Sequence, residues 1–269
     1  MNGEEKLNIQ HPEAWELLVS IDGKRLNYIL YTPAVANSLI IGEVTGTDDS
    51  LQSLEDAIYD TPELLNEYKR VRVVVNSPHY VFLPQATDDE DCKELVRHAF
   101  PDDDGDVVVS PLPLSGVKQV FMMPHGMSAF LGRTFNYPVV LHHLTPLCEY
   151  FKGLDRGHGI AGMFLYLNAG AMDMAIYRDG EFQCANTYRF TDIQDAAYFA
   201  LNAWRTNGMD QLADELQLTG EGDLCAQMTP VLREYVKYVM PVVFPAAAMR
   251  LGRNAMQAPL DLILLALCE

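Results

Sequence analysis

Few side chains in this sequence stand at a spacing that supports chemistry. His142 and His143 are adjacent on a predicted strand, so their rings should point to opposite faces and cannot both ligate one metal. His79, His98, His125 and His158 have no paired spacing, and the helical H-E-x-x-H pattern does not occur. Asp102-Asp103-Asp104-Gly105-Asp106 has the carboxylate density of a calcium loop, but its glycine comes too early and no closing glutamate follows, so a solvated loop is expected. Gly157-His158-Gly159-Ile160-Ala161-Gly162 spells G-x-G-x-x-G, yet it precedes a strand instead of joining a strand to a helix, and the dinucleotide mechanism fails there. Ser128 lies in Gly126-Met127-Ser128-Ala129-Phe130, which lacks the second glycine of a nucleophile elbow. The five cysteines, Cys92, Cys148, Cys184, Cys225 and Cys268, are scattered and form no C-x-x-C pair, which reads as small buried hydrophobes in a reducing compartment.

The elements that carry these residues follow from periodicity. Leu17, Val19 and Ile21 alternate up to a turn near Asp22-Gly23, and Leu26, Tyr28 and Leu30 alternate after it, the signal of a β-hairpin. A third strand is predicted over 38–44. A helical stretch follows from Ser53 to Tyr68, broken or restarted at Thr61-Pro62. Strands over 71–75 and 80–83, an acid-fronted helix over 88–99 and strands near 106–109 and 118–122 come next. A helix over 126–135, a strand over 139–144 and a short helix over 146–151 precede the glycine-rich junction 153–162.

After that junction the order repeats. Strands are predicted around Leu165 and Met174, a turn at Asp179-Gly180, and a third strand near 182–186. Ile193, Ala196, Ala197, Ala200, Leu201 and Trp204 form the apolar face of the clearest helix, with Thr191 and Gln194 as a capping box and Gly208 as its stop. A strand over 215–219 leads to Gly220-Glu221-Gly222. A helix is expected to start at Thr229-Pro230, carry Leu232, Tyr235, Val236 and Val239 on one face, and end at Pro241. The apolar run 260–268 fits a strand or a helix.

Composition narrows the function classes. The chain has 269 residues, 49% of them hydrophobic, enough for one large domain or two ordinary halves. Its formal net charge of −18 disfavours nucleic acid and anionic lipid, and a carboxylate metal nuclease with them. The opening residues 1–12 are polar and carry Glu4 and Glu5, unlike a signal peptide, and no apolar run is long enough to span a bilayer, so a cytoplasmic location without membrane insertion is expected.

A three-strand meander followed by a helix, appearing twice, resembles the actin-like ATPase superfamily, an α/β ribonuclease H-like fold duplicated around a cleft. Leu167-Asn168-Ala169-Gly170, Asp179-Gly180, Asn186-Thr187, Phe190, the stretch from Asp195 to Phe199 and the terminal Leu267-Cys268-Glu269 make the chain similar to an uncharacterised bacterial family of that superfamily. The halves are expected at 1–155 and 156–269. Without a gap, Ser20 aligns with Asn168, Asp22 with Gly170, Leu26 with Met174 and Tyr28 with Ile176.

The resemblance implies a nucleotide site built from the two hairpin loops and the turn after the second half's last predicted strand. Active members hold hydrated magnesium with an aspartate at each loop head and approach the phosphates through glycine amides. Here Ser20 stands at the first aspartate position and Asp22 at a glycine position. If Asp22 is taken as the aspartate instead, the loop is two residues short. The second loop has Asn168 in place of the aspartate, keeps Gly170, and places Asp173 further along. The purine turn falls at Gly220 and Gly222 with Glu221 between them. The expectation is therefore a non-catalytic binding or assembly module that uses no cofactor or metal and has another protein as its partner, with the oligomeric state open. The alternative is an ATP-dependent phosphotransferase or ATPase in which Asp22 and Asp173 replace the missing anchors.

Overall fold

The computed structural model describes residues 9–168 and 170–267. Cys268, the signature residues Ala169 and Glu269, and residues 1–8 of the opening polar stretch, Glu4 and Glu5 included, lie outside the described residues. The elements run in the order β1 (Glu16–Asp22), β2 (Arg25–Tyr31), β3 (Ile40–Thr45), α1 (Leu51–Tyr59), β4 (Arg70–Val75), β5 (Tyr80–Pro84), α2 (Asp89–Ala99), β6 (Asp106–Leu112), β7 (Val117–Met123), α3 (Met127–Thr134), β8 (Val139–His142) and α4 (Leu144–Leu154). After the glycine-rich junction come β9 (Ala161–Asn168), β10 (Ala171–Arg178), β11 (Glu181–Arg189), α5 (Ile193–Thr206), β12 (Glu215–Gly220), α6 (Gly222–Arg233), β13 (Tyr238–Pro241) and α7 (Leu260–Leu267).

The chain divides into two compact units. The first takes the chain up to Pro111, the stretch from Lys118 to Pro146, and everything from Pro245 onward. The second takes Leu112–Val117 and Leu147–Phe244. The residues from Pro245 on, expected with the second half, thus belong with the first, because the apolar helix α7 packs on β1 and β4.

Each unit is built on a five-stranded sheet, and the two sheets have the same order: β3-β2-β1-β4-β8 and β11-β10-β9-β12-β13. In each, three antiparallel strands form a meander whose first strand also pairs in parallel with the strand after the helix. Alternation sorts the first unit's residues. Leu17, Val19 and Ile21 face α1 and α3, meeting Leu54, Ile58, Phe130 and Leu131. In the second, Met163, Leu165 and Leu167 meet Ala196, Ala200 and Trp204 of α5 and Met228 and Leu232 of α6. Phe164, on the opposite face, stacks on Phe151 of α4 at 5.1 Å. Strands β5, β7 and β6 form a third sheet, covered by Cys92 and Val96 of α2.

Several local expectations are corrected. Asp192, not Thr191, caps α5, its carboxylate accepting from the amides of Gln194 and Asp195, while the Thr191 hydroxyl binds the Asp195 side chain. Ser50, three residues before the expected Ser53, caps α1. Helix α6 begins at Gly222 and carries Pro230 inside it on a solvent-exposed position, and Val239 lies on the short strand β13 instead of a helix. The run left open between strand and helix is helix α7 over its described residues. Among the described residues no helix is long and apolar enough to cross a membrane.

Candidate functional site

The first unit holds Ser20 and Asp22 on one face of β1, the face opposite the α1 and α3 core. Strand β1 turns into β2 through Gly23 and Lys24 alone, since Asp22 pairs directly with Arg25. Gly23 takes a φ of +56°, a left-handed conformation suited to glycine in a tight hairpin. Asp22 is exposed and accepts a 3.1 Å hydrogen bond from the Asn76 amide side chain at the end of β4. Ser20 is buried, and its hydroxyl donates to Asp261 Oδ2 of α7 at 2.7 Å. Asp261 Oδ1 also accepts from the Leu262 amide at 2.9 Å. The serine position is therefore occupied by an internal contact with a buried carboxylate from the far end of the sequence.

The second unit repeats the tight turn. Asn168 pairs directly with Ala171, so only Ala169 and Gly170 intervene, with Gly170 at φ +74°. Asp173 lies inside β10, 6% exposed, on the face opposite Met172 and Met174, and accepts from the Thr187 hydroxyl of β11 at 2.6 Å. It is a buried sheet residue and not a loop carboxylate.

At the end of β12, Gly220 takes φ +116°, and a Cβ built there would sit 1.9 Å from the Leu167 carbonyl oxygen. The Glu221 amide donates to that same carbonyl at 2.9 Å, and Glu221 stands at the N-cap of α6. Gly220 is thus required by the close approach of β12 to β9. Gly222, by contrast, has open space where a Cβ would be. Asn168, Gly170, Gly220 and Gly222 all lie exposed around this end of the β9 and β12 pair.

Strand pairing corrects the repeat register. Ile21 pairs with Val75 and Leu167 with Gly220, and the amides of Asn76 and Glu221 donate to the carbonyls of Ile21 and Leu167 at 2.8 and 2.9 Å. Asp22 therefore matches Asn168, and Ser20 matches Tyr166. The alignment of Ser20 with Asn168 is two residues out, a slip that preserves the in-and-out alternation of every strand residue. Of the two readings of the first loop, pairing favours the one with Asp22 at its head and too few residues after it.

The other sequence motifs are absorbed by local structure. His142 ends β8, so His143 leaves the strand, and the two rings lie 4.5 Å apart instead of on opposite faces. Nδ1 of His142 accepts from the Gln119 side chain at 2.7 Å and the Leu144 amide at 3.2 Å, which leaves Nε2–H to donate to the Ser77 carbonyl at 2.9 Å. Burial, with a smaller contribution from His143, holds the His142 imidazole well below its usual range. In the acidic loop, Asp103 binds His79 Nδ1 at 2.6 Å and Asp106 accepts from the Ser128 amide. Burial pushes the Cys148 thiol up, away from thiolate chemistry. Among the described residues no group of three His, Cys, Asp or Glu side chains is placed to hold a metal.

Asp261 and Asn76 were missed from the sequence. The only signal for Asp261 is its lone charge in the apolar run 260–268.

Two meander sheets of identical order define the actin-like ATPase fold. A Bacteroides thetaiotaomicron protein described as having an actin-like ATPase fold and unknown function superposes with a TM-score of 0.77 at 22% identity, covering 96% of this chain and 97% of its own. A structure of the PilM–PilN type IV pilus biogenesis complex matches with a TM-score of 0.56 at 14% identity, covering 96% of this chain and 100% of that one. Residues 4–239 match the model of the family described as "Protein of unknown function (DUF3822)", and the chain belongs to that family. No curated protein sequence matches it.

Proposed function

We propose that this chain is a non-catalytic actin-like-fold module of the cytoplasm whose nucleotide site is degenerate and whose ligand is another protein. The carrying observation is that both hairpins close over two residues, leaving no loop in which backbone amides could surround phosphates. Ser20, Asp22, Asn168, Gly170, Asp173, Gly220 and Gly222 are then the vestige of such a site. We place the boundary between its two halves inside α4 at Leu147, ahead of the glycine-rich junction near residue 155, with Leu112–Val117 joined to the second half and the segment from Pro245 returned to the first.

The anchoring chemistry points the same way. Asn168 offers a neutral amide where a carboxylate would hold hydrated magnesium, and Glu221 adds a negative charge at the turn expected to hold purine. A triphosphate without metal or donor compensation is expensive to desolvate. The phosphotransferase alternative needs Asp173 as a second anchor, and its burial against Thr187 weighs against that role. That PilM is found with PilN supports a protein partner for a chain of this fold.

A phosphate-release assay at millimolar MgATP tests the reading. No release above a no-enzyme blank is expected, and release that disappears in both Asp22→Ala and Asp173→Asn would establish the enzyme instead.

A further inference from the structure

On the first unit, a half-open groove of about 840 Å³ runs between the start of β1, the loop after β2, the start of β4 and the segment after Pro245. Its charge runs against the rest of the molecule. In a chain with net charge −18, the described residues that line it include four cations, Lys69, Arg70, Arg72 and Arg250, against one carboxylate, Glu16. Glu16 is already used. Its Oε2 accepts from Arg72 at 3.2 Å and from the Tyr31 hydroxyl at 3.0 Å on the groove floor, where burial and then the Glu16 charge push the Tyr31 phenol up to about 12. Arg72 is thereby neutralised and buried. Lys69, Arg70 and Arg250 are exposed and make no ion pair among the described residues. Beside them stand apolar side chains open to solvent, Val35 at 58% and Met249 at 49% exposure.

We propose that this groove docks an acidic segment of a partner protein, with carboxylates on Lys69, Arg70 and Arg250 and an apolar side chain between Val35 and Met249. The proposal deepens the partner-binding reading above and rests on it. Charge complementarity selects the occupant. The cations come from two separate segments and flank an apolar wall, a combination that a lone inorganic anion does not match. A nucleic acid would carry its phosphates on past the groove onto a strongly acidic chain. An acidic peptide with apolar anchors satisfies both surfaces, and the local excess of cations steers it there.

The test is selection from a random dodecapeptide display library on the full-length protein at low salt. Selected peptides are then to be bound to a Lys69→Glu/Arg250→Glu variant and, separately, to Val35→Asp, each checked for native circular dichroism. The expected result is enrichment of Asp and Glu interspersed with apolar residues. Affinity should fall at least about tenfold in the charge-reversed variant, fall in Val35→Asp, and weaken as salt rises. Acidic peptides that bind both variants as well as the parent overturn the groove but leave the partner-binding module standing. Neutral or basic peptides, or no enrichment, overturn the docking proposal. Binding of inorganic phosphate or citrate at the groove without peptide enrichment makes it a small-anion site and overturns it too. No enrichment together with ATP hydrolysis removes the module reading as well.

Discussion

Gly220 and Gly222 flank one residue in the turn proposed as a purine position, yet the structure assigns them opposite sensitivities. An alanine Cβ at 220 would lie 1.9 Å from the Leu167 oxygen and 2.7 Å from its carbon and nitrogen, all backbone atoms that cannot swing aside. The residue must also hold φ +116°, outside the region available to alanine without strain. Strained backbone costs about 1–3 kcal/mol, and displacing a packed strand about 1–3 kcal/mol more, so Gly220→Ala should cost about 2–6 kcal/mol in all. The Glu221 amide bond to Leu167 would loosen as β12 shifted. Gly222 opens α6 and has nothing within 4 Å of a Cβ, so Gly222→Ala should be neutral or stabilise by about 0.4–1 kcal/mol through the unfolded chain. Urea unfolding followed by tryptophan fluorescence in a Trp15→Phe background isolates the second unit, since Trp204 is then the remaining tryptophan. A Gly220→Ala loss below about 1 kcal/mol, or an equal loss from Gly222→Ala, would refute the close-approach argument.

Three further perturbations have outcomes set by the same physics. Trp204→Ala empties a buried position of the α5 core and should cost about 3–5 kcal/mol in urea unfolding followed by far-ultraviolet circular dichroism, whereas under about 1 kcal/mol would place it on the surface. Ser20→Ala removes a donor to a buried carboxylate and should cost about 1.5–3 kcal/mol by circular dichroism, with Ser20→Thr recovering part of it if the threonine hydroxyl still reaches Asp261. His142 has a folded pKa below its unfolded value of about 6.5, so the unfolded chain takes up the proton first and stability is lost as pH falls below that value. Melting temperature should therefore drop from pH 7 to pH 5, and His142→Gln should flatten that slope; an unchanged slope would exclude His142 as its source.

The strands and the α5 helix were legible because their alternation and helical spacing are local. The carboxyl-terminal segment was not, since only tertiary packing decides that α7 returns to β1 and that Asp261 meets Ser20. The register of the repeat failed for a specific reason. A slip of two residues keeps Leu17, Val19 and Ile21 on the same face, so only the pairing of Asp22 with Arg25 and of Asn168 with Ala171 resolves it. Helix α6 was started too late because Thr229-Pro230 imitates a helix amino terminus, while its actual start at Gly222 lacks a side-chain capping bond. The basic groove was invisible because Arg250 is far from Lys69 and Arg70 in the sequence of an acidic chain. The turn glycines were legible in the sequence, but which one the backbone requires depends on how closely β12 approaches β9.

Calorimetric titration of the protein with MgATP tests the proposal of a degenerate nucleotide site most directly. Two-residue hairpin turns, Asn168 in place of a metal-anchoring carboxylate and Asp173 committed inside the sheet predict no saturable heat up to millimolar nucleotide. Micromolar binding that Asp22→Ala abolishes would contradict the account.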